Sequence, residues 1–281
     1  MEPMDETQLF PKLPLAEWVE WFEELLKTYL SGFFDGITSI IEFVTENFVL
    51  LLTLIPPYVL IILIALLAWW VVNYKLGIFA IIGLGLINNL GLWPELIDTI
   101  ALVIISVLIS MIIGIPIGIW MSQKNSVQSI ITPILDFMQT MPAFVYLIPA
   151  VVFFSLGMVP GVVATIIFSM PPTVRLTNLG IRQVDQELIE ASNAYGSTTG
   201  QRLTKVQIPL AMPTIMAGIN QTIMLSLSMV VIASMVGAPG LGTIVYRAVT
   251  QVDVGLGFEG GLSLVILAML LDRISQGANK K

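Results

Sequence analysis

Neither cysteine nor histidine occurs anywhere in the 281 residues. That double absence removes disulfides, thiol nucleophiles, Cys/His zinc sites, imidazole general bases and histidine-ligated haem. Charge is nearly as scarce, at 11% of residues, where ordinary soluble domains carry about 25%. The 12 Lys+Arg against 19 Asp+Glu leave a net charge of −7 and no basic patch to neutralise phosphates, which excludes nucleic-acid binding. No G-x-x-x-x-G-K-[ST] run is present, so the chain brings no nucleotide-cradling loop of its own. No cofactor, metal site or catalytic residue is expected.

What the chain has is apolar surface: 56% hydrophobic residues and a mean hydropathy of +0.92. A water-soluble protein could not cover itself with so few charges, so this is an integral membrane protein: a transporter, a channel or a scaffold. Charge-free runs mark the spans, because a charge at the bilayer centre costs about 2.5–3.5 kcal/mol even on lenient scales. Such runs lie between Glu46 and Lys75 (28 residues), Lys75 and Glu95 (19) and Asp98 and Lys124 (25). The 38 residues from Phe137 to Val174 would make a helix of about 57 Å against a hydrocarbon core of about 30 Å. They must turn back, and Gly157-Met-Val-Pro160-Gly161 offers the place. One further span covers about Thr214 to Val236, and Gly237-Ala-Pro-Gly-Leu-Gly242 follows as a loop or re-entrant segment. The last covers about Leu256 to Ile274. The expected fold is all-α: a polytopic transmembrane bundle of about seven spans.

Orientation follows from Lys/Arg asymmetry. With the amino end outside, nine basic residues fall inside (Lys75, Lys124, Arg175, Arg182, Arg202, Lys205, Arg273, Lys280, Lys281) and three outside (Lys12, Lys27, Arg247). No basic n-region followed by a cleavable apolar stretch opens the chain, so the first span is expected to insert directly. The acidic segment 1–48 is then extracytoplasmic. Within it Leu15, Trp18, Phe22, Leu25, Leu26 and Tyr29 recur at helical spacing opposite Glu17, Glu20, Glu24 and Lys27. That is an amphipathic helix, lying either in the membrane surface or on the bundle's own outer face.

One inside loop, 179–213, is long and polar. Asp185-Gln-Glu187 followed by Leu188, Ile189, Ala191 and Ala194 reads as a short helix with acids in its first turn, ended by Gly196. Thr198 with Gln201 is a capping-box pattern for a second short helix through Val206, stopped by Pro209, and Pro213 stands where the next span begins. Helix–Gly–helix with Glu190 and Arg202 displayed is a shape for docking another protein, or a hairpin that only connects two spans.

Glu190-Ala191-Ser192, then Gly196, then Ile208-Pro209-Leu210 and Pro213 resemble the EAA loop of ABC importer permeases, with Ser192 standing where the family has a third alanine. Three longer runs are similar to the glycine betaine/proline (quaternary-amine) permeases of that group. They are Gln139-Thr-Met-Pro-Ala-Phe-Val-Tyr-Leu-Ile-Pro149, Pro171-Pro-Thr-Val-Arg-Leu-Thr-Asn-Leu-Gly-Ile-Arg-Gln183, and Ala217-Gly-Ile-Asn-Gln-Thr-Ile-Met-Leu-Ser-Leu-Ser-Met-Val-Val-Ile-Ala233. The resemblance covers about Phe33 to Ser275. It implies a division into the amphipathic segment 1–48, two accessory spans at 49–94 and a permease core at 95–281. It also implies a homodimer in the plasma membrane, two cytoplasmic ATPase subunits and an external binding protein on a separate chain.

By the same resemblance, Glu190, Ala191, Ser192, Gly196, Ile208, Pro209 and Pro213 couple to the ATPase, joined by Arg202 from its place on the docking shape, and ATP hydrolysis belongs to that partner. The substrate would be glycine betaine, with choline, carnitine or proline as alternatives; a channel without a nucleotide partner is the rival class. A trimethylammonium head calls for an aromatic cage, which the resemblance places in the binding protein. The permease should offer only a weak path, with Met141, Phe144, Tyr146, Asn220, Gln221 and Met224 as candidate lining and helix packing as the alternative for each. Asp98, Asp136, Arg175, Glu259 and Asp272 all fall near span ends in this reading, leaving no mid-bilayer group for ion coupling.

Overall fold

A computed structural model describes residues 13–278; Lys12, Lys280 and Lys281, counted in the orientation, lie outside the described residues. The described chain is helical: α1 Leu15–Thr53, α2 Pro57–Val71, α3 Tyr74–Asn89, α4 Trp93–Gln123, α5 Asn125–Thr140, α6 Leu147–Phe154, α7 Met158–Arg182, α8 Gln186–Ala194, α9 Thr199–Arg202, α10 Ile208–Ser234, α11 Leu241–Gln251 and α12 Val254–Ala278.

The centre is a triad of α4, α7 and α10, held together by small residues. Gly114 and Gly118 of α4 lie against α7, where a Cβ on Gly118 would stand 2.6 Å from Thr177 Cβ and 2.7 Å from the Val174 carbonyl. Between helices that gain nothing from water exclusion, such close backbone approach is the main source of packing energy. The Gly114/Gly118 spacing therefore serves packing within this chain. The antiparallel α7–α10 pair is laced by hydroxyls. Thr222 donates to the Ser169 carbonyl (2.9 Å) and so accepts from Thr173 (2.7 Å), while Ser226 donates to Ser169 Oγ (3.0 Å).

The bundle has two ends. At the loop end, between α7 and α10, Arg182 donates to the last-turn carbonyl of Met121 in α4 (2.8 Å) and to Asn178 (3.0 Å). At the far end the 235–240 loop is pinned: Leu241 N donates to Thr99 Oγ1 (2.8 Å) and Gly157 N to the Val236 carbonyl (2.9 Å). The Gly237–Gly242 stretch is thus a loop that ends as α11 begins, and the 11-residue helix α11 is an element the sequence pattern did not announce.

The span count needs correction. Five described helices are long and apolar enough to cross a membrane, or six if α5 and α6, bent by 108° around Met141–Pro142, form one broken span. The expected first span is cut by Leu54-Ile55-Pro56, because neither Pro56 nor Pro57 can supply the N–H a continuing helix needs. Its first quarter joins α1, and most of the remainder is the 15-residue α2, packed as a hairpin on the 16-residue α3. The 137–174 run turns at Ser155–Gly157, just ahead of the expected Gly157–Gly161 stretch, whose residues from Met158 on open α7; it also breaks at Met141–Pro142, and α5 runs from Asn125 through Asp136 to Thr140.

Segment 15–48 is likewise no separate amphipathic piece, since α1 runs unbroken for 39 residues. Phe34 stacks on Phe153 at the end of α6 (4.4 Å between ring centroids), and Thr45 to Val49 lie with Asp98, Met158 and Val159 at the far end. From Phe34 to Val49, α1 therefore lies across the far ends of α4, α6 and α7. Trp18, Phe22 and Tyr29 are exposed; among the described residues nothing covers that apolar stripe.

Candidate functional site

The loop between α7 and α10 is a rigid object. Asp185 N-caps α8 by accepting from Glu187 N (3.1 Å). The carboxyl end closes as a Schellman turn. Gly196 sits at φ +73°, a conformation costly to any residue with a Cβ. Gly196 N donates to the Asn193 carbonyl (2.9 Å) and Ser197 N to that of Ser192 (3.2 Å). The hydroxyls of Ser192 and Ser197 also meet at 2.5 Å, so serine at the third alanine position of the motif adds a tie across the turn that alanine could not make. The expected capping box is present, with Gln201 N on Thr198 Oγ1 (3.3 Å) and Thr198 N on Gln201 Oε1 (3.0 Å).

Two readings change here. Pro209 does not stop the second short helix. Residues 199–234 run on without a break, and a π turn at Leu203–Gln207 widens the coil just ahead of Pro209. Ile208 N reaches back five residues to the Leu203 carbonyl, so the ring of Pro209 enters a turn already opened. Pro213 lies inside α10, not at its start. Arg202 is not displayed: half-buried, it donates to Asn193 Oδ1 (3.0 Å) and braces α9 on α8. Glu190 and Ala191 are exposed as expected. Beside them stand Leu188 and Tyr195, the latter 94% exposed; the sequence pattern uses Leu188 only as a helix residue and omits Tyr195, and the signal is two large apolar or aromatic side chains in a polar loop.

The candidate path residues divide into two groups. Tyr146 is buried, its hydroxyl donating to the Met138 carbonyl and its ring edge-on to Phe168; Met141 packs on the same cluster. Both stabilise the α5–α6 bend. Phe144, Gln221 and Met224 are exposed, and Asn220 is half-buried with its Oδ1 enclosed and unbonded. Two residues outside that set matter more. Asp136 of α5 and Arg175 of α7 form an ion pair of 2.5 Å. Both lie inside helices: Asp136 one turn before the end of α5, and Arg175 seven residues before the end of α7. No cluster of three or more acidic side chains fit for a metal ion occurs among the described residues.

Comparison with known proteins agrees with this architecture. Residues 107–279 match the family model for the binding-protein-dependent transport system inner membrane component. The chain is 55% identical to the glycine betaine transport system permease protein OpuAB of Bacillus subtilis over 96% of both chains. It is also 55% identical to the glycine betaine/carnitine transport permease protein GbuB of Listeria monocytogenes (96% of this chain, 97% of that one). Identity to the glycine betaine/proline betaine transport system permease protein ProW of Escherichia coli is 46% (95% and 76%). Among solved structures, the inward-facing MetNI methionine ABC transporter matches with a TM-score of 0.62 at 22% identity, over 67% of this chain and 94% of that one. An amino acid ABC transporter matches with a TM-score of 0.56 at 21% identity (70% and 98%). These structures establish the fold. The chain belongs to the binding-protein-dependent transport system inner membrane component family, as a multi-pass permease of the inner membrane.

Proposed function

We propose that this permease is the membrane path of an ATP-driven importer for glycine betaine or a closely related methylated amine. It works as a homodimer with two cytoplasmic ATPase subunits and an external binding protein. The observation that carries the coupling half of this reading is the capped platform at 185–207. A connector needs no N-cap, Schellman turn, hydroxyl tie and capping box within some 20 residues, whereas a surface that must transmit force does. Leu188, Glu190 and Tyr195 project from it, an apolar, an acidic and an aromatic group suited to a protein cleft. ATP hydrolysis sits on the partner, since the chain has no phosphate loop.

The substrate follows from the relatives' names at 46–55% identity. Hydrolysis in the ATPase pair would move the platforms of the two copies, and the continuous 199–234 helix would carry that motion into α10, opening the path alternately to each side. The assignments of Glu190, Ala191, Ser192, Gly196, Arg202, Ile208, Pro209 and Pro213 to this coupling are part of the proposal, with Arg202 acting through Asn193 as a brace.

In proteoliposomes holding the permease, its ATPase and its binding protein, Glu190→Lys should lower betaine uptake at least tenfold while the protein still inserts. Gly196→Val should do the same, because a Cβ in the left-handed region costs about 1–2 kcal/mol and reshapes the turn. Full ATP-dependent uptake in both variants would reduce the loop to a connector.

A further inference from the structure

The Asp136–Arg175 pair is misplaced for a lipid-facing surface. Arg175 lies five residues, about 7.5 Å, from the midpoint of α7 at 1.5 Å per residue, so a span centred on that midpoint holds it within a hydrocarbon core of about 30 Å. Gly114 and Gly118 of α4 pack at the same level, against Thr173, Val174 and Thr177, and the outward side chains of α4 around that level are the exposed Ile112, Ile113 and Trp120. Inside this apolar band the paired side chains remain 37% and 55% open for Arg175 and Asp136. Arg175 Nε is enclosed with no hydrogen-bond partner. Charges at such depth face a protein or a water-lined passage.

The rest of α5 says which. Asn125, Ser129, Thr132, Asp136 and Gln139 recur at intervals of four and three residues, one continuous polar face along the whole helix. A neighbouring face is apolar and packed: Leu135, with Val127, Ile131 and Met138, lies on Met121 and Val174 of the central triad, while Ile130, Ile134 and Phe137, opposite the polar stripe, are exposed. A polar stripe running the length of a helix that forms half of a broken span, with an ion pair one turn before its end, has the form of one wall of an aqueous path.

We propose that Asp136 and Arg175 are the contact point for a zwitterionic substrate within that path. Resting on the importer reading, this adds the residues and the charge pattern they select. A betaine carries a carboxylate and a permanent cation in one small molecule. Its carboxylate takes the two-pronged guanidinium of Arg175 while its onium group takes the Asp136 carboxylate. One ion pair becomes two, then one again when the substrate leaves, and no uncompensated charge stands in the membrane at any stage. Because the idle groups satisfy each other at 2.5 Å, the substrate must compete with an existing bond. Binding is correspondingly weak and release rapid, as a transit site requires.

The test uses the assembled transporter in two arms. In proteoliposomes, Arg175→Gln and Asp136→Asn should each slow ATP-driven glycine betaine uptake at least tenfold while binding-protein-stimulated ATP hydrolysis persists. The double neutral variant D136N/R175Q should be no better than the worse single one. Recovery in the double variant, which leaves no unpaired charge, would show a structural brace and overturn the proposal; so would unchanged uptake in the single variants. The second arm needs no ATP and uses the absence of native cysteine. In nanodiscs, Gln139→Cys should react with a membrane-impermeant thiol reagent, Ile112→Cys should not, and millimolar glycine betaine should slow the first reaction only while the pair is intact. An unreactive or unprotected Cys at 139 overturns the site even if uptake is normal. An unmutated transporter without ATP-driven uptake overturns the importer reading, while this arm still decides the site.

Discussion

Single residues at close contacts decide where this chain tolerates change. Gly118 and Gly85 are both helical glycines in apolar sequence, and by composition alone they are equivalent. A Cβ at Gly118 would strike backbone of α7 at 2.7 Å, while one at Gly85 meets nothing within 4 Å. Gly118→Ala should therefore part α4 from α7 and cost about 1–3 kcal/mol. Gly85→Ala should gain up to about 1 kcal/mol from helix propensity. Thermal unfolding in detergent, followed through the six tryptophans, should move in opposite directions for the two; equal shifts would mean the α4–α7 contact is looser than described. The same contrast holds in the loop. Asp185, Gly196, Thr198 and Gln201 were legible from residue type, because caps depend on the local backbone only. The role of Arg202 was not, since its acceptor Asn193 lies on another helix.

At the level of elements, proline is a stop where the sequence reading saw one continuous span, and no stop where that reading placed one. Pro56-Pro57 ends α1 because nothing else supports the chain there. Pro209 is carried through by the π turn at 203–207, and Pro171 and Pro172 lie inside α7, held against α10 by the Thr173–Thr222 hydroxyl pair and its bond to the Ser169 carbonyl. Pro209→Ala should let the π turn relax to α-helix and rotate the platform relative to α10. The expected outcome is at least a fivefold loss of uptake per ATP hydrolysed with insertion intact; unchanged coupling would show that the widened turn does not depend on proline. Charge-free runs marked where apolar segments lie, yet they could not show that one such run holds two helices, or that α5 bends from α6 by 108°.

For the molecule as a whole, the orientation inferred from Lys/Arg placement makes a direct prediction in a chain without cysteine. Tyr195→Cys, on the exposed platform, should label only from the cytoplasmic side. Val252→Cys, exposed at the α11–α12 turn beside Arg247 on the inferred outer side, should label only from outside. The reverse pattern would invert the topology and move the platform away from any ATPase. Membrane residence, the polar loop, its caps and the likeness to quaternary-amine permeases were all set by the sequence itself. These depend on composition, on neighbours within a few residues, or on long matching runs. The pairing of Asp136 with Arg175 across 39 positions, the course of α1 across the far ends of its neighbours, and the sorting of Tyr146 into the core and Phe144 to the surface were decided only by tertiary structure. They depend on which helix faces come to lie together, and hydrophobicity along a strand of text is the same for a side chain turned toward lipid, toward a neighbouring helix or toward a passage.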